Sequence, residues 1–236
     1  MKKLTFLLLL CLCATTVKAQ DFFVKANFVS AYLWRGLKVG GPCLQPSLGV
    51  SWKGFTLVGW ASTEFDRKSN EIDLSLSYDY KGLNITLLDV FCQDGEDKFN
   101  FFNYKNKTTN HTIEVDASYV IHPKFPMKIL WATRVAGKDW DITTDPETQE
   151  IISKKRRWST YCELSYPFNV KGIGVKFEAG FAPWNSVYTD KFNVVNVSME
   201  VSKAIQITEK WALPISAKIM FNPDDKQTHF QVKLSI

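Results

Sequence analysis

The chain has 236 residues, 45% hydrophobic and 22% charged, with a formal net charge of +5. Three of the cations, Lys2, Lys3 and Lys18, lie in an N-terminal stretch that reads as a removable leader, so the remaining +2 gives no ground for nucleic-acid binding. The three cysteines beyond the leader, Cys43, Cys92 and Cys162, are too few for a disulfide framework, although one bridge is allowed in an oxidising compartment.

In chain order the leader comes first. A basic Met1-Lys2-Lys3 start, an apolar run over 4–16 and the small-residue subsites Val17-Lys18-Ala19 predict a signal peptide over 1–19, cleaved after Ala19. The mature chain, 20–236, is then exported, and none of it holds the ~18 continuous apolar residues of a membrane helix. What it holds is period-two alternation.

The first alternating segment places Val24, Ala26, Phe28, Tyr32 and Trp34 on one face and Lys25, Asn27 and Arg35 on the other. The next runs over 44–52, and a third over 55–64 is less clean because Trp60 shares a face with Thr56, Ser62 and Glu64. The fourth is the cleanest, with Ile72, Leu74, Leu76, Tyr78 and Tyr80 against Glu71, Asp73, Ser75, Ser77 and Asp79. Further segments over 83–91, 111–121, 127–135, 158–166, 175–181, 194–205, 213–221 and 228–236 bring the total to twelve. Most approach the roughly nine to eleven residues a tilted strand needs to cross a bilayer.

Tight links at Lys53-Gly54, Lys81-Gly82 and 121–125 alternate with longer polar ones at 35–43, 63–70, 92–110, 136–157 and 182–193. Short turns on one side and long loops on the other predict an all-β, transmembrane, up-and-down antiparallel barrel of about 12 strands, its short turns periplasmic and its longer loops extracellular. Alternation alone leaves the sense of the wall open, since a soluble lipocalin-like binder has the opposite one. Twelve strands make too wide a barrel for a dry core, and one face is nearly free of charge, with Asp89 the exception. Aromatic residues gather near strand ends on that face, including Tyr32, Trp34, Trp52, Phe55, Tyr78, Tyr80, Trp158 and Tyr166. These features predict apolar residues against lipid and a polar lumen.

The segment Ser30-Ala-Tyr-Leu-Trp-Arg-Gly36, followed by a Gln-Pro strand and by Gly54-Phe-Thr-Leu-Val-Gly-Trp-Ala-Ser62, is similar to the TorF-type porin family of Gram-negative outer membranes. The specific part covers residues 30–62, and Ile236 departs from the usual terminal Phe. The resemblance implies an outer-membrane β-barrel concerned with transport.

Candidate pore-lining charges follow from the register. The bases are Lys25, Arg35, Arg134 and Lys218; the acids are Glu64, Glu71, Asp73, Glu114, Asp116, Glu163, Glu178 and Glu200. Lys53, Asp79, Lys128, Lys176 and Lys233 fall on the same face. Such charges either knit a salt-bridged closure or form opposed strips that align a polar solute, and rings of charge select only where a water path exists. Arg35 is expected at the top of the first strand, paired with Glu64, Glu71 or Asp73, with Tyr32 and Trp34 at the outer girdle. Only three histidines occur, and His111 beside Asn110 lacks the Gly-framed serine of a lipase site, so it reads as a surface residue and no enzyme is expected. No metal or other cofactor is expected either. The run Lys154-Lys155-Arg156-Arg157 lies where lipopolysaccharide phosphates would be met, and the aromatic loop 92–110 folds into the pore or packs on its rim. The expected partners are outer-membrane lipid and lipopolysaccharide and a small polar solute. A narrow channel is expected in the outer membrane, with a closed structural or lipid-modifying barrel as the alternative.

Overall fold

The computed structural model describes residues 21–66, 69–94, 99–105 and 108–236; the expected leader lies outside the described residues. Sixteen strands occur among the described residues. The first eight are β1 (Asp21–Val29), β2 (Tyr32–Trp34), β3 (Leu37–Gly40), β4 (Cys43–Trp52), β5 (Phe55–Glu64), β6 (Ser69–Tyr80), β7 (Leu83–Asp94) and β8 (His111–His122). The others are β9 (Phe125–Gly137), β10 (Trp140–Thr144), β11 (Ile151–Arg156), β12 (Thr160–Val170), β13 (Ile173–Ala182), β14 (Asn193–Thr208), β15 (Trp211–Asn222) and β16 (Gln227–Ser235).

Twelve of them close one antiparallel barrel in the order β1-β16-β15-β14-β13-β12-β9-β8-β7-β6-β5-β4, every neighbour in space being the next wall strand in sequence except at the β1-β16 seam. The remaining four form two small hairpins outside the wall sheet, β2-β3 and β10-β11. No helix of the described residues is long and apolar enough to cross a membrane. The seam closes through the last residue: Ala26 and Ile236 exchange backbone bonds of 2.8 and 2.9 Å, and Phe28 pairs with Leu234. Ile236 thus completes the ladder at the seam.

The wall is apolar outside and polar inside. Outward side chains such as Val24, Leu48, Leu57, Leu76 and Phe230 are exposed, whereas Glu114, Ser118, Glu178 and Ser198 face inward and are buried. A lipocalin-like wall would have the reverse sense. At the end with the tight turns, outward aromatics pack as tilted pairs: Phe55 with Tyr78 at 4.6 Å, Phe125 with Tyr166 at 5.4 Å and Tyr166 with Phe168 at 6.2 Å.

Three of the tight turns repeat one local solution. Lys53-Gly54, Lys81-Gly82 and Lys171-Gly172 all have positive φ at both residues, the conformation whose twist matches a two-residue hairpin and which glycine adopts without steric cost. Lys53 therefore sits in a turn, its ammonium 5.0 Å from the Trp52 ring centre, and is not on the inner wall where alternation put it.

Candidate functional site

The first strand ends sooner than its alternation suggests. Val29 closes β1, and β4 pairs back along all of it, from Val29 with Cys43 to Asp21 with Ser51. Residues 30–42 are thus left over from the wall. They bend at Ser30-Ala31 and fold inward as the β2-β3 hairpin, whose turn is Arg35-Gly36 with φ of 47° and 88°. This corrects the expectation for Tyr32 and Trp34: both lie in the lumen, and neither joins an outer girdle. Tyr32 donates to Glu71 at 3.0 Å and packs on Trp60 at 5.7 Å. The imperfect alternation of β5 has its reason here, since Trp60 faces inward to receive the hairpin.

Arg35 also departs from its expected partners. Its guanidinium crosses the lumen to β8, donating to Glu114 at 2.8 and 2.9 Å and to Asp116 at 3.1 Å. It donates to the Tyr188 hydroxyl at 3.2 Å and stacks against Trp34 at 4.6 Å and Tyr161 at 5.2 Å. The Arg35 and Glu114 side chains are only 6% and 5% exposed, so this is a buried, charge-assisted lock. Gly36 makes the seat possible. A Cβ there would lie 1.9 Å from the Val195 carbonyl oxygen, and Asn222 donates to the Gly36 carbonyl at 3.2 Å.

A second segment supports the first. From the connection at 183–192, Tyr188 enters the lumen and packs on Tyr161 at 5.4 Å, in a small core with Ala182 and Val195 against which Leu37, Leu130 and Val187 rest. The lumen of a twelve-stranded wall is therefore partly filled by its own loops rather than left as open water.

Polar space remains on both sides of the hairpin. A cavity of about 440 Å³ toward the long loops is lined by Glu71, Asp73, Glu114, Asp225, Arg134 and Lys38 among others. Toward the tight turns lie cavities of about 320 and 450 Å³, the former lined by Asp116, Lys128, Glu163 and Lys218 and the latter by Lys176, Glu200 and Lys233. The inner wall there carries a zigzag of charge. Glu178 pairs with Lys176 and Lys218, Lys176 reaches Glu200 at 3.7 Å, and Glu200 pairs with Lys233 at 3.1 Å. Glu163 accepts from Tyr161 at 2.6 Å.

The remaining candidates sit at the two ends. Glu64 accepts from the Gly41 backbone, tying the hairpin's return strand to β5. Lys25 lies 5.0 Å from the Phe23 ring centre, away from the hairpin. The structure so brings Arg35, Glu114 and Asp116 into one cluster and Glu178, Glu200 and Lys218 into another, while Lys25 and Glu64 stand apart.

Two outward residues also find an explanation that alternation missed. Asp89 and His111 are neighbours on β7 and β8, and the His111 Nδ1 lies 2.7 Å from Asp89 Oδ1. Loop residues 99–105 cover the pair from outside. Tyr104 donates to Asp89 at 2.7 Å and stacks on His111 at 4.0 Å, and the other His111 nitrogen meets the Phe101 carbonyl. Burial and the Asp89 hydrogen bond push the Tyr104 phenol up to about 12, so it stays a donor. His111, 1% exposed, is no surface residue, and both ring nitrogens are occupied, which leaves none for general-base work. The described part of the aromatic loop packs on the outer wall, Phe99 and Phe101 against Phe91 at 5.6 and 5.2 Å, and does not enter the pore. Cys43 and Cys162 are free thiols, Cys92 donates to Glu71 at 3.7 Å, and among the described residues no three His, Cys, Asp or Glu side chains stand together as a metal site.

No family model matches the sequence, and no curated protein does. Among solved structures, the chain is similar to the KdgM porin at 9% identity, covering 92% of this chain and 98% of that one, with a TM-score of 0.45. The same porin in complex with disordered oligogalacturonate gives 9% identity, the same coverage and a TM-score of 0.46. An outer membrane channel from Pseudomonas putida F1 gives 9% identity, coverage of 93% and 95%, and a TM-score of 0.43. At this level of likeness, residue roles rest on the geometry of this chain alone.

Proposed function

We propose that this protein is an outer-membrane β-barrel of the TorF type and a narrow, porin-like channel for small polar solutes or ions. The carrying observation is the arrangement inside the wall: charged, polar cavities above and beneath a hairpin that narrows the lumen. The outward apolar face supports insertion in a bilayer, where polar strand edges are tolerated only in a closed barrel. The long-loop cavity holds four carboxylates (Glu71, Asp73, Glu114 and Asp225) against Arg134, Lys38 and a histidine, and with Glu114 engaged by Arg35 it still favours cations.

Planar-bilayer recording tests this. The intact barrel should give small, cation-preferring conductance steps, and replacing residues 32–40 by a short Gly-Ser link should enlarge them several-fold. Substituting Glu71→Gln and Asp73→Asn together should lower the cation preference. The Arg35 lock favours one second reading, a closed barrel. Silence from the folded wild type, with current only once residues 32–40 are replaced, would decide for it.

A further inference from the structure

The β10-β11 hairpin and the aromatic loop stand on either side of a crevice on the outer wall, outside the lumen. The crevice holds about 370 Å³ and is lined by Tyr104, His111, Ile113, Ala136 and Arg156 among others. Ile113 and Ala136 pair across β8 and β9 and form an apolar floor. One side is latched in place by the Asp89–His111–Tyr104 contacts, so the crevice is built into the fold and does not depend on a ligand to form.

The other side is cationic on one face only. Cross-strand partners share a face of a hairpin, and here Trp140 pairs with Arg156 and Ile142 with Lys154. Both cations lie over the same indole, Lys154 at 4.7 Å and Arg156 at 4.5 Å, and Arg156 also donates to the Gly137 carbonyl at 3.4 Å. Lys155 pairs with Asp141 on the opposite face, where Arg157 reaches Asp141 at 3.6 Å. On the cationic face Ile142 and Ile152 are 47% and 65% exposed, and on the aromatic-loop side Phe102, edge-on to Phe101 beside His111, is 87% exposed. Large apolar side chains this open in the company of fixed cations suit an interface between acyl chains and anionic headgroups.

We infer that this crevice is a binding site for a phosphate-bearing lipid of the outer leaflet, a lipid A-type glycolipid, with its phosphate on Lys154 and Arg156 and an acyl chain along Ile113 and Ala136. The inference rests on the outer-membrane placement proposed above. It assigns the hairpin a ligand and separates it from the lumen, since none of these residues touches the Arg35 lock.

Native mass spectrometry of the mature barrel in detergent tests it with bisphosphorylated lipid A, the same lipid stripped of phosphate, phosphatidylcholine and inorganic phosphate as probes. Wild type should retain bisphosphorylated lipid A and release the stripped lipid and phosphatidylcholine. The Lys154→Gln/Arg156→Gln double variant should bind it at least about tenfold more weakly, as expected for losing two cations at a membrane surface. Lys155→Gln, on the other face of the same hairpin, should bind as wild type, and Phe102→Ser should weaken retention without touching a charge. Equal retention by the double variant, equal loss from Lys155→Gln, or displacement by inorganic phosphate alone overturns the site. Heat-shifted gel mobility of each variant reports the barrel separately. A chain recovered in the soluble periplasmic fraction with no such shift overturns the membrane placement, and the lipid site with it.

Discussion

Arg35 is the residue on which the interior turns. One guanidinium satisfies two carboxylates of β8 and a phenol of the 183–192 connection, a planar fork of donors that a lysine could not reproduce. Removing it strands Glu114, only 5% exposed, and takes the ion-pair partner from Asp116, which is 17% exposed. Arg35→Ala is therefore expected to destabilise the barrel by about 3–5 kcal/mol, read as a lower urea midpoint for the protein folded in vesicles, while Arg35→Lys should recover part of that loss. Alternation put this side chain at the top of a first wall strand, whereas it sits at the turn of a separate hairpin, and its partners were not legible. Glu114 lies 79 residues away in sequence, and only closure of the barrel brings β8 opposite the hairpin tip.

At the scale of the element, one local motif appears in two settings. Trp34-Arg35-Gly36 has the same order of aromatic, cation and glycine as Trp52-Lys53-Gly54 and Tyr80-Lys81-Gly82, and the three turns share φ values of 47° and 88°. In each the cation stacks on the preceding ring, at 4.6, 5.0 and 5.1 Å. That repeat was the signal that residues 32–40 form a hairpin. Turn chemistry identifies a hairpin without saying whether its strands join the wall, because both settings need the same twist. The loop at 99–105 follows a parallel logic on the outside, where an outward carboxylate is covered by a loop that supplies its donors. Asp89→Ala leaves the Tyr104 hydroxyl and a buried His111 nitrogen without their acceptor. An unmade buried bond costs about 1–3 kcal/mol, which should open the loop roughly tenfold more often. Faster chymotrypsin cleavage in the 99–105 segment, with unchanged heat-shifted mobility, is the expected readout.

For the whole molecule, the sense of the wall decides what each substitution costs. Leu76 points outward at mid-strand and Ser75, its neighbour, lines an inner cavity. Leu76→Arg is expected to cost about 2–4 kcal/mol against lipid, and Ser75→Arg much less in the hydrated lumen. Comparing the yield of each variant on folding into vesicles checks this, and equal yields would place the apolar face in water.

The number of wall strands, the tight turns and the polar-in, apolar-out sense were all present in the sequence, because they are set by residues within a few positions of one another: period-two side chains, paired positive-φ turns, charges confined to one face. Three features came only with the tertiary structure. These are the inward path of residues 30–42, the pairing of Arg35 with Glu114 and Asp116, and the cover that loop 99–105 lays over Asp89 and His111. The first two depend on strands far apart in sequence meeting around a closed circumference, and the third on a long loop doubling back over its own pair of strands. A loop's destination is chosen by the partners that closure sets opposite it, and no local pattern encodes that meeting.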